Sequence, residues 1–366
     1  IVYSRQIRKK SHGISPKPDL AGPRGRMASE KRVPMYAVIM AGGKGTRFWP
    51  LSRERRPKHL LNITGEKSII QYTVDRISPL VARDRALIVT GAGHADQIRE
   101  QLPRIPAENI LIEPVGRNTA PCIGLAAMHI RKKESDAVMC VLPADHLIPD
   151  TESFLASLIA ARDMAGRRAC LVTIGVRPRW AETGYGYMER GKEADTVGGT
   201  KVYQVKSFRE KPDRATAASF LTSGKFFWNS GIFVWKVSTL LDAIQNLLPD
   251  LYEGLRAIDE SIGTTREARV LSEVYRGIEP VSIDYGVMEK APDVVMLEGD
   301  FGWNDIGSWD ALWDVLEKDA KGNVARGRVL RSGATNCLVH SPDKMVALVG
   351  VEDLLVVETE DALLIC

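Results

Sequence analysis

Short runs of apolar residues alternate with longer amphipathic stretches from Met35 onwards. The short runs are mostly apolar at every position and predict strands over 36–41, 86–90, 109–112, 137–142 and 169–175. The longer stretches between them predict helices over 68–80, 94–102, 119–133 and 152–165. Strands that are buried on both faces and separated by helices are typical of a mostly parallel sheet with helices on each side. The pattern therefore predicts an α/β fold with a Rossmann-like, mixed and mostly parallel sheet.

The regular alternation becomes looser after Ile174. Further strands are predicted over 201–208 and 232–235, and further helices over 238–248, 250–258 and 309–317. From Gly322 the chain consists of short apolar runs separated by Gly, Asn, Ser and Asp, which predicts a small β domain. Its last run, 362–366, stops within an apolar stretch, so we expect this domain to be truncated. The predicted organisation is a catalytic domain over 35–312, followed by a linker and the start of a C-terminal β domain over 313–366.

The first 34 residues lack hydrophobic periodicity and carry nine Lys or Arg against two acidic residues. This composition predicts a disordered basic extension over 1–34, either a transit peptide or translated sequence upstream of a start at Met27 or Met35. The whole chain has a formal charge of +4, so the remaining 332 residues are slightly acidic. Charge alone therefore gives no reason to expect nucleic-acid binding.

Composition excludes several classes of protein. A chain of 366 residues with 44% hydrophobic residues can bury a sizeable core. Its apolar runs are far shorter than the roughly 18 residues that a membrane helix needs, so we expect no membrane span. The five cysteines include no C-x-x-C pair and several stand in apolar runs, which favours a cytoplasmic location.

A glycine-rich turn follows the first predicted strand. Gly42, Gly43 and Gly45 stand directly after Ala41, at the carboxyl edge where α/β sheets bind ligands. Glycines let backbone N–H groups approach a phosphate closely. The spacing matches neither a Walker P-loop nor the dinucleotide fingerprint. A polyphosphate site is therefore predicted, with a tight structural turn as the alternative.

Two cations follow this turn, Arg47 and Lys58. Fixed positive charge beside a backbone nest is what a leaving pyrophosphate requires. The alternative for 52–58 is a solvated basic loop, which is the interpretation we adopt for Arg53, Glu54 and Arg55.

The block from Ala41 to Lys58 resembles the signature of the sugar-1-phosphate nucleotidyltransferases, and its Phe48-Trp49-Pro50-Leu51-Ser52 segment resembles the mannose-1-phosphate guanylyltransferase branch. Further blocks resemble that branch in the same order: Glu113-Pro114-x-Gly116-Arg117-Asn118-Thr119-Ala120-Pro121, Leu142-Pro143-Ala144-Asp145-His146, Glu182-Thr183-Gly184-Tyr185-Gly186-Tyr187, Phe208-Arg209-Glu210-Lys211-Pro212, Trp228-Asn229-Ser230-Gly231-Ile232-Phe233, Ser282-Ile283-Asp284-Tyr285-Gly286 and Gly302-Trp303-Asn304-Asp305-Ile306-Gly307-Ser308-Trp309. The resemblance spans residues 35 to 312.

This resemblance implies an enzyme that transfers GMP from GTP to mannose-1-phosphate with Mg²⁺, giving GDP-mannose and pyrophosphate. It also implies a β-helix-like C-terminal domain used for oligomerisation, and hence a homodimer if that domain is complete. Two alternatives stay open. One is a related nucleotidyltransferase for another base or sugar, and the other is a nucleotide-sugar-binding regulatory subunit without turnover.

The resemblance also implies a role for individual residues. The catalytic cations would be Arg47, Lys58 and Lys211. Nucleotide contacts would come from Ala41, Gly42, Gly43, Gly45, Thr46, Glu113, Asn118, Thr119 and Asp145. Sugar contacts would come from Glu182, Gly184 and Asn229, and the metal ligands would be Asp145 and Asp305.

Each role has a structural alternative. An isolated Asp after a strand is often a helix cap or a turn residue, and Asp145 would act through water or on the nucleoside if it is not a ligand. Asn118 and Thr119 would serve equally as a helix N-cap. The alternatives for the remaining residues are a turn former for Asn229, an ordinary loop carboxylate for Glu182 and a surface lysine for Lys211. His59 departs from the family pattern, which has Gln or Pro at this position, and its effect on phosphate binding is left open.

Overall fold

The computed structural model describes residues 33–43 and 45–366. Within these ranges a nine-stranded sheet forms the body of the protein. Its strands are β1 (Met35–Ala41), β2 (Ala86–Gly91), β3 (Ile110–Glu113), β4 (Val138–Pro143), β5 (Leu171–Val176), β6 (Gly186–Val197), β7 (Thr200–Glu210), β8 (Phe226–Lys236) and β9 (Val294–Gly299). The α-helices are α1 (Ile69–Ile77), α2 (Ala95–Gln101), α3 (Thr119–Lys133), α4 (Thr151–Arg167), α5 (Arg214–Ser223), α6 (Val237–Leu247), α7 (Pro249–Ser261), α8 (Glu267–Gly277) and α9 (Trp309–Val315). The predicted disordered extension falls, except for Val33 and Pro34, outside the described residues.

The strand order of this sheet is β3-β2-β1-β4-β8-β5-β9-β7-β6. Strands β3, β2, β1 and β4 are parallel, as are β5 and β9, whereas β8 runs antiparallel between β4 and β5. The prediction of a mixed, mostly parallel α/β sheet is confirmed. Because β1 and β4 are parallel neighbours, with Met40 opposite Pro143, the segments that follow them emerge at the same edge.

The apolar character of β1 on both faces explains why helices cover both sides of the sheet. Ile39 packs into one apolar cluster with residues of α1 and α4, and Val38 packs into a second cluster with residues of α3, α6 and α7. Successive side chains of a strand point to opposite faces, so a strand covered on both sides must be apolar throughout. Trp228 and Trp235 on β8 are 2% and 0% exposed and lie one in each cluster.

Two strands, β6 and β9, and two helices, α5 and α8, were not predicted from the pattern. Strand β6 is rich in charged residues because it forms a hairpin with β7 whose middle is partly exposed, and its buried residues stand at its ends, Gly186–Met188 and Val197. Strand β9 completes the parallel pair with β5, and helix α8 buries few of its side chains.

A second sheet follows, made of β10 (Val324–Ser332), β11 (Leu338–Val349), β12 (Leu355–Glu358) and β13 (Leu363–Ile365). The first three are parallel and the last pair is antiparallel. The predicted β domain is therefore present, although β10 and β11 are single long strands where the sequence indicated separate short runs. Phe48, Trp309 and Val357 share one apolar cluster, so this sheet packs on the segment that follows the glycine-rich turn.

Among the described residues there is no helix with both the length and the apolar character needed to traverse a bilayer.

Candidate active site

A cleft with a cavity of about 600 Å³ opens at the carboxyl ends of β1, β3 and β4. Many of the predicted site residues line it: Gly42, Gly43, Glu113, Asn118, Thr119, Asp145, Gly184, Asn229 and Asp305. The other predicted residues are not part of its wall: Ala41, Gly45, Thr46, Arg47, Lys58, Glu182 and Lys211. Segments distant in the sequence thus meet at the edge where α/β sheets bind ligands.

The glycine-rich turn packs directly on the backbone of Lys58. Gly45 has φ +51°, and a Cβ built on it would lie 2.7 Å from the Lys58 backbone nitrogen. No other residue type fits that approach. The side chain of Phe48 is fully buried and anchors the end of the turn, while Arg47 is exposed beside it. The turn therefore places the segment that carries Arg47 directly against the backbone of Lys58.

The ammonium of Lys58 lies between the two predicted metal ligands. Its Nζ donates to Asp145 Oδ2 at 2.9 Å and also to the backbone carbonyl of Asp305. Lys58 is only 7% exposed, so its charge is compensated by these two acceptors more than by water. Paired backbone hydrogen bonds between Leu147 and Asn304, 2.9 and 3.0 Å long, align the two aspartate-bearing segments.

The carboxylate of Asp305 is oriented by a tyrosine. The Tyr185 hydroxyl donates a hydrogen bond to Asp305 Oδ1. Burial and the Asp305 carboxylate raise the pKa of the Tyr185 hydroxyl, which therefore stays protonated as a donor. Next to these groups, Trp303 Nε1 donates to His146 Nδ1 at 3.0 Å. Tyr185, His146 and Trp303 all line the cleft.

The charge state of Asp145 suits a divalent metal. Burial acts to raise its pKa, but Lys58 and neighbouring positive groups outweigh burial and lower the pKa to about 2. Asp145 is thus ionised at neutral pH. Among the described side chains, His, Cys, Asp and Glu form no group of three or more that could hold a metal. Mg²⁺ commonly binds through one or two carboxylates together with substrate phosphates, and two carboxylates on one cleft fit that pattern.

His59 follows Lys58 in the chain and is close enough to Asp145 to be influenced by its charge. Its ring is 3% exposed and packs edge-on against His94, with 6.0 Å between ring centroids. Burial is the main cause that lowers the pKa of His59, to about 4, so the ring is neutral at physiological pH. Its Nε2 has no hydrogen-bond partner in the described part of the chain.

The predicted base contacts lie where β3 ends and α3 begins. Glu113 is 6% exposed, and its Oε1 has no hydrogen-bond partner among the described residues. Burial raises the pKa of Glu113 to about 7, against the lowering effect of the nearby Tyr275 hydroxyl. Asn118 is the N-cap of α3, because its Oδ1 accepts from the Thr119 backbone N–H at 2.9 Å. Both Asn118 and Thr119 still face the cleft, so capping does not prevent ligand contact.

The predicted sugar contacts differ in how their polar atoms are used. Glu182 accepts from the Gly184 backbone N–H at 2.8 Å and from Trp180 Nε1 at 3.0 Å, so both of its oxygens stabilise the local turn. Asn229 Oδ1 accepts from the Gly231 backbone N–H at 3.1 Å, while its Nδ2 donates to Asp284 Oδ1 at 2.7 Å. One amide hydrogen of Asn229 remains to donate to a ligand.

Two carboxylates near Asn229 were not among the predicted site residues. Glu210 and Asp284 line the cleft, and Lys211 Nζ lies 3.5 Å from Glu210 Oε1. Burial, together with the Asp284 carboxylate, raises the pKa of Glu210 to about 7. Sequence reasoning missed Tyr185, His146, Trp303, Glu210 and Asp284, although each stands in a block that resembles the family. Their position in those blocks was the signal that could have found them.

Comparisons with known proteins agree with this geometry. The nucleotidyl transferase family model matches residues 36–322, and the MannoseP isomerase/GMP-like beta-helix domain model matches residues 327–366. The chain is 39% identical to mannose-1-phosphate guanylyltransferase 2 of Escherichia coli O157:H7 over 340 residues, which cover 91% of this chain and 70% of that protein. It is also 39% identical to the alginate biosynthesis protein AlgA of Pseudomonas aeruginosa over 334 residues, covering 90% and 69%.

Among solved structures, one described as mannose-1-phosphate geranyltransferase from Thermus thermophilus superimposes with a TM-score of 0.81 at 34% identity, covering 91% of this chain and 94% of that one. The fold and the cleft thus define an α/β transferase for phosphate-bearing substrates. The chain belongs to the nucleotidyl transferase family.

Proposed function

We propose that this enzyme transfers the GMP group of GTP to mannose-1-phosphate, giving GDP-mannose and pyrophosphate. The observation that carries the proposal is that one cleft brings together the glycine-rich turn, the aspartates Asp145 and Asp305, and the group formed by Asn229, Glu210 and Asp284. Relatives that are 38–40% identical to this chain over 70% of their own length are named mannose-1-phosphate guanylyltransferases, which supports this choice of nucleotide and sugar.

The reaction needs positioning more than side-chain chemistry. An oxygen of the sugar phosphate attacks the α-phosphorus of GTP, the bond from that phosphorus to the β-phosphate bridging oxygen breaks, and pyrophosphate leaves with the electron pair. Because the sugar phosphate is already an anion at neutral pH, no side chain has to remove a proton from it. The protein has to hold two anions together and neutralise the charge that develops.

Different cations would bind the phosphates of the two substrates. Backbone N–H groups of the glycine-rich turn, with Arg47 and Lys58, would bind the leaving pyrophosphate. Lys211 is exposed at the sugar end and would contact the sugar phosphate. Glu113, Asn118 and Thr119 would contact guanine, whose N1–H and N2–H₂ donors need acceptors and whose O6 needs a donor.

Asp145 and Asp305 would hold Mg²⁺, since their oxygen donors and the ionised state of Asp145 fit a hard cation. When bound, Mg²⁺ would neutralise charge on the substrate phosphates. A binding-only regulatory subunit would have no use for both carboxylates, which favours the enzyme over that alternative. The homodimer and the cytoplasmic location stay predictions.

A pyrophosphate-release assay with GTP, mannose-1-phosphate and Mg²⁺ tests the proposal. We expect turnover that falls strongly when GTP is replaced by ATP, UTP or dTTP, or when glucose-1-phosphate replaces mannose-1-phosphate. A preference for UTP or dTTP would refute the choice of base. An Asp305→Ala variant that releases pyrophosphate at the wild-type rate would show that the metal assignment is wrong.

A further inference from the structure

The loop with the predicted base contacts is held by a distant part of the chain, residues 275–284, which we call the latch segment. Arg117 donates from Nε to the Tyr275 carbonyl and from Nη2 to the Arg276 carbonyl, both at 2.8 Å. These carbonyls belong to the last turn of α8. The final carbonyls of a helix lack partners within it and carry partial negative charge, which a guanidinium fork satisfies.

Further contacts extend this connection along the loop. The Val281 backbone N–H donates to the Arg117 carbonyl at 3.3 Å, and the Ala120 N–H donates to the Val281 carbonyl at 3.1 Å. The Ile283 N–H donates to Thr119 Oγ1 at 2.8 Å. Thr119 and Ile283 line the cleft, whereas Arg117 is not part of its wall. Arg117 thus holds the base loop in place from outside the cavity.

The other end of the latch segment reaches the predicted sugar site. Asp284, its last residue, begins a single π-helical turn and accepts the 2.7 Å hydrogen bond from Asn229 Nδ2. Asn229 Oδ1 is occupied by the Gly231 N–H, so these two contacts together set the orientation of the amide. The same short segment therefore contacts the base loop along its length and orients a sugar-site side chain with its last residue.

We infer that Arg117 and Asp284 are positioning residues at opposite ends of one element, and that through it the base loop and the sugar site are set together. The inference rests on the proposed function, because it takes the two ends of the cleft to be the base and sugar ends. It assigns to Arg117 an effect on sugar-phosphate binding that its place outside the cavity would not suggest.

The test measures steady-state kinetics of Arg117→Ala at saturating GTP. We expect KM for mannose-1-phosphate to rise about tenfold with kcat within about twofold of wild type, the size of effect typical for residues along a coupled element. Arg117→Lys keeps the charge but loses the fork, so a smaller rise is expected, and it serves as the second variant if Arg117→Ala does not fold. Arg269→Ala removes an exposed arginine of the same helix and is the matched control.

A double-mutant cycle separates this mechanism from general damage. Asp284→Ala removes the acceptor for Asn229 Nδ2 and should itself raise KM for mannose-1-phosphate. Arg117→Ala should then add less than about twofold in that background. The inference is overturned if either Arg117 variant that folds leaves KM for mannose-1-phosphate unchanged, or if the effects of Arg117→Ala and Asp284→Ala multiply independently. If wild type prefers another nucleotide or sugar phosphate, the proposed function fails, and the same cycle with the preferred pair still decides the role of the latch segment.

Discussion

Lys58 Nζ lies 2.9 Å from Asp145 Oδ2 in a setting where the lysine is almost fully buried. The contact joins the segment that follows the glycine-rich turn to the end of β4, 87 residues further along the chain. Burial would raise the pKa of Asp145, and the Lys58 ammonium is the largest influence that lowers it, so Asp145 remains a carboxylate. Removing one partner leaves the other buried and uncompensated.

Lys58→Met should therefore remove a catalytic cation and leave Asp145 without its partner. We expect kcat to fall by about 10²- to 10³-fold, as for loss of one group that stabilises transition-state charge. Pyrophosphate release measures this. Arg55→Ala, a change at an exposed cation three residues away, should retain wild-type turnover. Equal losses in the two variants would mean that Lys58 has no special role.

Tyr185→Phe deletes the hydroxyl that donates to Asp305 Oδ1 while keeping the aromatic ring. Groups that orient a metal ligand typically change metal affinity or activity by about 10- to 100-fold. We expect the Mg²⁺ concentration for half-maximal rate to rise within that range. Tyr203→Phe, on β7, is the control. An unchanged Mg²⁺ requirement in Tyr185→Phe would argue against Asp305 as a ligand.

The buried Glu113 predicts a pH dependence of GTP binding. Its pKa of about 7 means that it loses its charge as the pH falls below 7, and with it acceptor capacity for guanine N–H groups. KM for GTP should rise below pH 7, approaching about tenfold per unit. Glu113→Gln should bind GTP weakly with no such dependence. A profile that is the same in both proteins would exclude Glu113 from base contact.

The same group affects folding with a definite sign. Because its pKa is raised in the folded state, Glu113 contributes stability below its unfolded pKa, and this contribution is lost as the pH rises towards 7. Glu113→Gln should therefore weaken the decline of unfolding free energy over that range. Urea denaturation at several pH values measures the difference, and identical slopes in the two proteins would contradict the raised pKa.

Gly186 is a position where added volume should disturb the sugar end. A Cβ there would lie 2.3 Å from Glu210 Oε2 and 3.3 Å from the Cβ of Asn229. Gly186→Ala should displace the Glu210 carboxylate and raise KM for mannose-1-phosphate more than KM for GTP. Gly93→Ala, which places a Cβ in open space without a left-handed φ, is the control. Equal changes in the two KM values would indicate a general rather than a local effect.

Sequence reasoning succeeded where a single local property decides the outcome. The fully apolar run of β1 indicated burial on both faces, and the glycines after it allow the positive φ found at Gly43 and Gly45, because these features follow from hydrophobicity and side-chain size. Strand β6 was not predicted, because its many charged residues hide the strand pattern and its middle is partly exposed. Its first residues also pair with β8, about 40 residues further along the chain, which no local pattern indicates.

Periodicity and backbone freedom are local properties, so the α/β class, the glycine-rich turn and the residue types available for phosphate chemistry could be predicted from the chain alone. Which of these residues meet depends on how distant segments pack. The tertiary structure placed Lys58 against Asp145 and Asp305, buried Glu113 far enough to raise its pKa to about 7, and attached Arg117 to the end of α8. Charge state and mutual orientation depend on burial and on partners far away in the chain, and local pattern carries no information about either.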